Sequence, residues 1–359
     1  MDSKSSQLTL KKLYETLDFD NSANLVTEKA LPEDVYQKML FEVARKKLKI
    51  ESIFFYRPPK GGVSVPYIYF CRLDGQNQAH ISQKLAELHK LAWNMGRAPL
   101  LIAALPQGEI KIYNCYASPT EPSSYDYQAG LIDILNIFSE AERARRYHRY
   151  EFESGQFWQR NRERFSQKTR ADYTLLEYLK IVRRKLINLL LKYVDFEFAS
   201  EVAHNLLGRS IFIKYLEDRR DTNGNNVFPE GFWGKNADCF TDVLPDKEVT
   251  YKIFDELNKK FNGDLFPVSK EEYNLIKNGH LELLKSYLTG KEDIISGQLN
   301  LWKFFSFDVI PIEFISKIYE EFFHIHEKEK KKIKESENID ESIETGTHYT
   351  RHFLVEFLV

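Results

Sequence analysis

SIFFYR (52–57) and PYIYFCRL (66–73) are two runs of aromatic and β-branched residues, and between them lie Pro58, Pro59, Gly61 and Gly62. Such side chains fill the half-buried pleat of a strand, while Pro and Gly punctuate turns. Residues 52–73 therefore predict two strands joined by a turn. Outward from this pair, Ala79–Trp93 spaces Ile81, Leu85, Leu88 and Ala92 along one helical face. LLIAAL (100–105) and EIKIYNCY (109–116), divided by Pro106–Gly108, predict a second strand pair. On the N-terminal side, Leu31–Ile50 carries Val35, Met39, Leu40, Val43, Ala44 and Leu48 near helical spacing, with Pro32 suited to a first turn.

TEPSSYDYQAG (120–130), rich in Pro, Ser and Gly, predicts a domain boundary. Beyond it Leu131–Tyr150, Leu175–Tyr193, Ala199–Leu216, Tyr251–Phe261 and Ile312–Phe323 predict helices, and 221–234 a turn-rich loop. The expected class is α+β: a small N-terminal α/β module with a helical lead-in over residues 1–120, then a mostly helical scaffold and DNA-contact region over 121–326. Residues 327–345 form a charged connector. HFLVEFLV, with six apolar residues in the last eight, predicts an element whose domain continues beyond Val359.

The chain has 359 residues, 43% of them hydrophobic and 14% aromatic, so it can bury a core and suits two or three domains. A net charge of -2 excludes a wholly basic nucleic-acid coat but permits local patches. Cys71, Cys115 and Cys239 are too few and scattered for a disulfide framework or a thiolate zinc site, which points to a reducing compartment. The start, MDSKSSQLTLKKLYETL, has no apolar signal core, and no stretch approaches the roughly 20 apolar residues that span a bilayer. A cytoplasmic protein with no membrane partner is expected.

The local charge is uneven. Residues 140–185 hold 13 Lys+Arg against 7 Asp+Glu. Arg143, Arg145, Arg146, Arg149, Arg160, Arg162 and Arg164 lie among Tyr147, Tyr150, Phe157 and Trp158, a mixture suited to phosphate contact and stacking on double-stranded DNA. The same run equally suits a solvated face with internal ion pairs to Glu142, Glu151, Glu153 and Glu163. A separate pattern, Asp74 with Glu109-x-Lys111, is compatible with a Mg²⁺-dependent nuclease. Alternating Glu109, Lys111 and Tyr113 also describe the wet face of any strand. His348 and His352 have i, i+4 spacing without an acidic or thiol partner, so no metal site is expected there.

Gly346-Thr347-His348-Tyr349-Thr350, followed by an apolar run, resembles the opening motif of adenine-specific DNA methyltransferases of the single-chain restriction–modification (type II G-like) family. Phe261–Pro267 (FNGDLFP), Leu206–Arg219 (LLGRSIFIKYLEDR) and Ile310–Glu320 (IPIEFISKIYE) resemble three segments that precede it in those enzymes, in the same order. The resemblance implies S-adenosylmethionine as cofactor and a Rossmann-like methyltransferase domain that begins at 346–359. It places His348, Tyr349 and Thr350 at one edge of the cofactor pocket, where a helix N-terminus favours the methionine carboxylate. Arg351 stands where the family usually has Pro. The family's Gly-rich loop and Asn-Pro-Pro-aromatic segment are absent from the 359 residues, so no catalytic residue is assigned. The resemblance thus implies the N-terminal part of a site-specific adenine methyltransferase of a restriction–modification or phage-defence system. A non-enzymatic DNA-binding or assembly subunit that docks a separate methyltransferase chain is the alternative.

Overall fold

The computed structural model describes residues 3–57, 63–75, 77–122, 126–220, 224–261, 265–290 and 301–321. The fold is α+β, with two compact units, residues 1–174 and 175–359.

In the first unit, α1 (Ser3–Leu17), β1 (Leu25–Thr27), α2 (Val35–Leu48), β2 (Ser52–Tyr56), β3 (Val65–Arg72), α3 (Gln78–Met95), β4 (Leu100–Ala104), β5 (Glu109–Asn114) and β6 (Leu131–Asn136) follow in order. The six strands form one mixed sheet in sequential order, antiparallel at every junction except β3–β4. A parallel neighbour requires a crossover, and α3 supplies it. Asn77 caps α3 by accepting from the His80 amide, and Gly96 closes it in the left-handed conformation.

All five residues of β4 are buried, so both faces of the sheet are covered. Leu10, Leu13 and Leu17 of α1 join Phe54, Ile68, Phe70, Leu100, Ile102, Ile110 and Ile112 in one core cluster. On the alternate strand positions, Tyr69, Leu101 and Tyr113 are buried, and the Tyr69 hydroxyl donates to Met95 Sδ at the end of α3.

The four strands and the central helix expected between 52 and 116 are present. Two expectations fail nearby. Leu131–Tyr150 is not one helix: β6 occupies 131–136, and only short helices follow, α4 (Ala141–Ala144) and α5 (Arg149–Glu153). Pairing along Glu109–Tyr113 claims the backbone of this segment. For the same reason TEPSSYDYQAG is a β5–β6 connection and no boundary. The first unit runs on through α6 (Gln156–Asn161) to residue 174, so the seven arginines belong with the sheet and not with a helical region beginning at 121.

The second unit is helical. It contains most of α7 (Ala171–Leu190), then α8 (Phe196–Glu217), α9 (Phe240–Val243), α10 (Lys247–Phe261), α11 (Lys270–Leu275), α12 (Asn278–Leu288) and a helix at 312–321. Buried residues such as Val202, Ala203, Leu206, Leu207, Arg209, Ser210 and Ile213 occur on every side of α8, which makes it the central helix of this unit. Asp195 caps it by accepting from the Phe198 amide. Among the described residues no helix is long and apolar enough to cross a membrane.

One buried polar group ties α3 to the sheet. His89, fully buried, lies 2.9 Å through Nε2 from the Asn114 carbonyl and 2.7 Å through Nδ1 from the Tyr127 hydroxyl. A carbonyl only accepts, so Nε2 carries the proton and Nδ1 accepts from Tyr127. Gly130, at φ +72°, packs on this ring: a Cβ there would sit 2.8 Å from both Nε2 and the Asn114 carbonyl oxygen. Burial pushes the His89 pKa down to about 4, below its unfolded value of about 6.5. The unfolded chain then binds the extra proton first. Stability from this group is complete above pH about 6.5 and falls as pH drops toward about 4, by roughly 2–4 kcal/mol in all. Denaturant unfolding at pH 7 and 4.5 measures that loss. His89→Gln should remove most of its pH dependence, and an unchanged dependence in the variant would contradict the assignment.

Candidate nucleic-acid interface

Most of the arginines singled out by the sequence are already paired. Asp133 on β6, with its side chain 9% exposed, accepts from Arg143 at 2.5 Å and from the Tyr147 hydroxyl at 3.0 Å, and lies 3.6 Å from Arg146. Arg143 also bonds Glu140 at 2.8 Å. The Asn136 amide and Arg143 together hold the Glu140 carboxyl below its usual range. Burial, then Asp133, raises the Tyr147 phenol. Arg149 bonds the Asp18 carboxylate at 2.5 Å and Glu153 at 2.9 Å, and its Nε donates to the Asp18 carbonyl at 2.9 Å. Asp18 follows α1 with φ +61°, so Arg149 locks the end of α1 to α5. Arg145 pairs with Glu142, and Arg160 with Glu151. Of the four glutamates proposed as internal partners, Glu163 alone makes no ion pair among the described residues.

Arg162 and Arg164 differ from the other five. Both are exposed, and neither has a carboxylate partner among the described residues. They flank two clefts on either side of the 157–167 segment. One, of about 360 Å³, is lined by Arg146, Arg160 and Arg164 with Asp133, Tyr147 and Asn161. The other, of about 410 Å³, is lined by Tyr67, Tyr116, Trp158 and Phe165 with Arg97 and Arg162. Burial pushes the Tyr67 phenol up to about 12 and raises that of Tyr116, so both stay neutral at physiological pH. Arg97, Tyr67 and Tyr116 carry no sequence signal for this role. Three separate segments deliver them: the β3 start, the turn before β4 and the residues after β5.

The Asp74, Glu109 and Lys111 pattern does not form a metal centre. Asp74 follows β3, whereas Glu109 and Lys111 lie on β5, with β4 between. Lys111 is buried and bonds Asp126 at 2.8 Å, with Glu109 3.6 Å away, so a cation already occupies the space between those carboxylates. Among the described residues no three His, Cys, Asp or Glu side chains are grouped to hold a metal.

In the second unit, two segments chosen by resemblance converge on a third, which lies largely in α8. Arg209, 1% exposed, donates to the Leu265 carbonyl at 3.0 Å, to the Pro267 carbonyl at 2.5 Å, and to both carboxylate oxygens of Glu272 at 2.5 and 3.2 Å. Its guanidinium lies 5.3 Å from the Phe254 ring centre. Glu272, 2% exposed, also accepts from the Tyr251 hydroxyl at 3.1 Å. At the residue just before Arg209, the Tyr319 hydroxyl donates to the Gly208 carbonyl at 2.5 Å. A methyl group on Gly208 would meet Tyr319 Cε1 at 3.0 Å. Arg219 reaches the Ile310 carbonyl. Leu206–Arg219, Leu265–Pro267 and Ile310–Glu320 are thereby one packed junction.

His348, Tyr349 and Thr350, proposed to edge a cofactor pocket, lie outside the described residues, as do Asn262, Gly263 and Asp264. Comparison with protein-family models, curated proteins and solved structures finds no match.

A buried carboxylate that loses its cation is strongly destabilising, by about 3–5 kcal/mol. Arg209→Met should cost that much in the second unit, read as lost hydrogen-exchange protection of the α8 amides. Arg209→Met with Glu272→Leu should cost less than Arg209→Met alone. A loss below about 1 kcal/mol in the single variant would deny the pair its structural role.

Proposed function

We propose that this chain is the N-terminal, DNA-contacting part of a cytoplasmic adenine-specific DNA methyltransferase of a restriction–modification or phage-defence system. In the full enzyme, S-adenosylmethionine would supply the methyl group for an adenine amino nitrogen.

The observation that carries the reading is the junction on α8. Three segments selected for resemblance, from 206 to 320, pack against one another through Arg209, Gly208 and Arg219. The role of this chain's own residues is scaffolding and DNA contact. Arg143, Arg145, Arg146, Arg149 and Arg160 spend charge on carboxylates, whereas Arg162 and Arg164 remain available for phosphate.

Duplex binding tests the reading directly. Log affinity should fall linearly with log salt, and Arg162→Ala with Arg164→Ala should reduce the slope by about 2, since each phosphate contact contributes about 0.9. Arg149→Ala should instead lower the stability of the first unit, because it releases Asp18 and Glu153 together. No duplex binding, or a slope untouched by the double change, would overturn the DNA-contact role. The chain by itself should transfer no methyl group to duplex DNA, since it lacks the Asn-Pro-Pro-aromatic segment. Robust methylation by the 359 residues would overturn its assignment as the non-catalytic part.

A further inference from the structure

The 410 Å³ cleft has a lining that duplex phosphates alone do not explain. Four rings border it, and their mutual contacts are edge-to-face. Tyr67 and Trp158 are 5.1 Å apart at 72°, Trp158 and Phe165 4.9 Å at 69°, and Tyr116 and Phe165 6.1 Å at 86°. Only Tyr67 has a parallel neighbour, Tyr56, at 4.9 Å and 8°. None of the four rings stacks face to face on another, and Arg170 lies over the Tyr116 ring at 5.0 Å, so a flat guest would enter beside Trp158, Tyr67 and Phe165. Trp158, Tyr67, Tyr116 and Phe165 are each only partly buried.

The polar groups narrow the guest's identity. Arg97, Arg162 and Gln167 line the same cleft, and among the described residues no Asp or Glu does. The Gln167 side-chain oxygen accepts from Arg170 at 3.4 Å, which leaves its amide NH2 to donate to the edge of a heterocycle. Arg162 has no carboxylate partner among the described residues and stands ready for an anion. Across the 157–167 segment, Arg164 lines the neighbouring cleft without a carboxylate partner among the described residues, so one further uncompensated positive charge lies past the space that one flat ring would fill. A flat aromatic ring bearing one anion, repeated along a chain of anions, is a nucleotide in a strand. Aromatic platforms beside a basic track are how unpaired strands are held.

We propose that this cleft binds an unstacked nucleobase, with its phosphates on Arg162 and Arg164. The proposal deepens the DNA-contact reading and rests on it for the duplex that would deliver the base. A lone nucleotide and a nucleotide within a strand share this chemistry, and the assay separates them.

The experiment is fluorescence anisotropy of the whole chain with four ligands. These are a labelled single strand of about 12 nucleotides, a base-free strand of equal length, the fully paired duplex, and an unlabelled deoxynucleoside monophosphate as competitor. The single strand should bind about fivefold or more tightly than the base-free strand, one stacked base accounting for roughly a fivefold to hundredfold gain. Trp158→Ala should abolish most of that difference. Gln167→Glu, at an exposed position, puts a negative charge in the cleft without removing a core contact. It should weaken the single strand at least about fivefold and change the paired duplex little. Displacement by the monophosphate at the strand's own concentration would assign the cleft to free nucleotides, and displacement only at large excess to a strand. Equal binding of the base-free strand, or no effect of Gln167→Glu, would overturn the base site. Duplex binding with a silent cleft sinks this inference alone. Base-dependent strand binding without duplex binding upholds it while the duplex role falls.

Discussion

Leu100–Ala104 is wholly buried, and a buried strand must find partners for every backbone donor and acceptor inside the protein. That constraint orders the first unit. A strand on each side is obligatory, so β3 and β5 flank it. Because β3 runs parallel to it, α3 must cross one face of the sheet, and α1 with the 144–157 segment closes the other. The clefts follow from the same arrangement. Tyr67 starts β3, Pro99 precedes β4 and Tyr116 follows β5, so the edge of the aromatic cleft is drawn by three strand ends that β4 holds together.

Legibility in the sequence tracked how strongly local chemistry agreed with the tertiary answer. SIFFYR, PYIYFCRL, LLIAAL and EIKIYNCY are aromatic or branched runs with Pro and Gly between them, and all four became strands. LIDILN did not announce itself. Leu131, Leu135 and Phe138 have helical spacing, and six residues are too few for periodicity to separate a helix from a strand. The decision came from the free edge of β5, which no local pattern reports. Arg209 was legible as part of a motif but not as the buried partner of Glu272, 63 residues further on. An ion pair of that span leaves no mark in either local sequence.

The two units solve one problem by different means. In the first, a sheet satisfies the buried backbone and His89 fills the remaining polar gap between α3 and Asn114. In the second, the carbonyls of Leu265 and Pro267 face the interior, where the described residues form no strand ladder to take them. Arg209 takes both and must then itself be neutralised, which is the work of Glu272. A methionine or leucine of similar volume would pack as well but would leave two carbonyls without donors. This accounts for a fully buried charged residue within α8.

Charge counting along the chain overstated the basic surface for a related reason. Between 140 and 185 the excess is six positives, yet Asp18 and Asp133, both outside that window, neutralise Arg149 and Arg143. Asp18 is 131 residues from its partner. Arginine forms such pairs readily because its fork satisfies two carboxylates, or a carboxylate and a carbonyl, at once. The arginines that hold the fold are therefore the ones with neighbours at fork distance, and a run of like charge cannot tell them from the rest. What distinguishes Arg162 and Arg164 is the short turn that follows α6, from which Arg164 lines one cleft and Arg162 the other, neither within ion-pair distance of a carboxylate among the described residues.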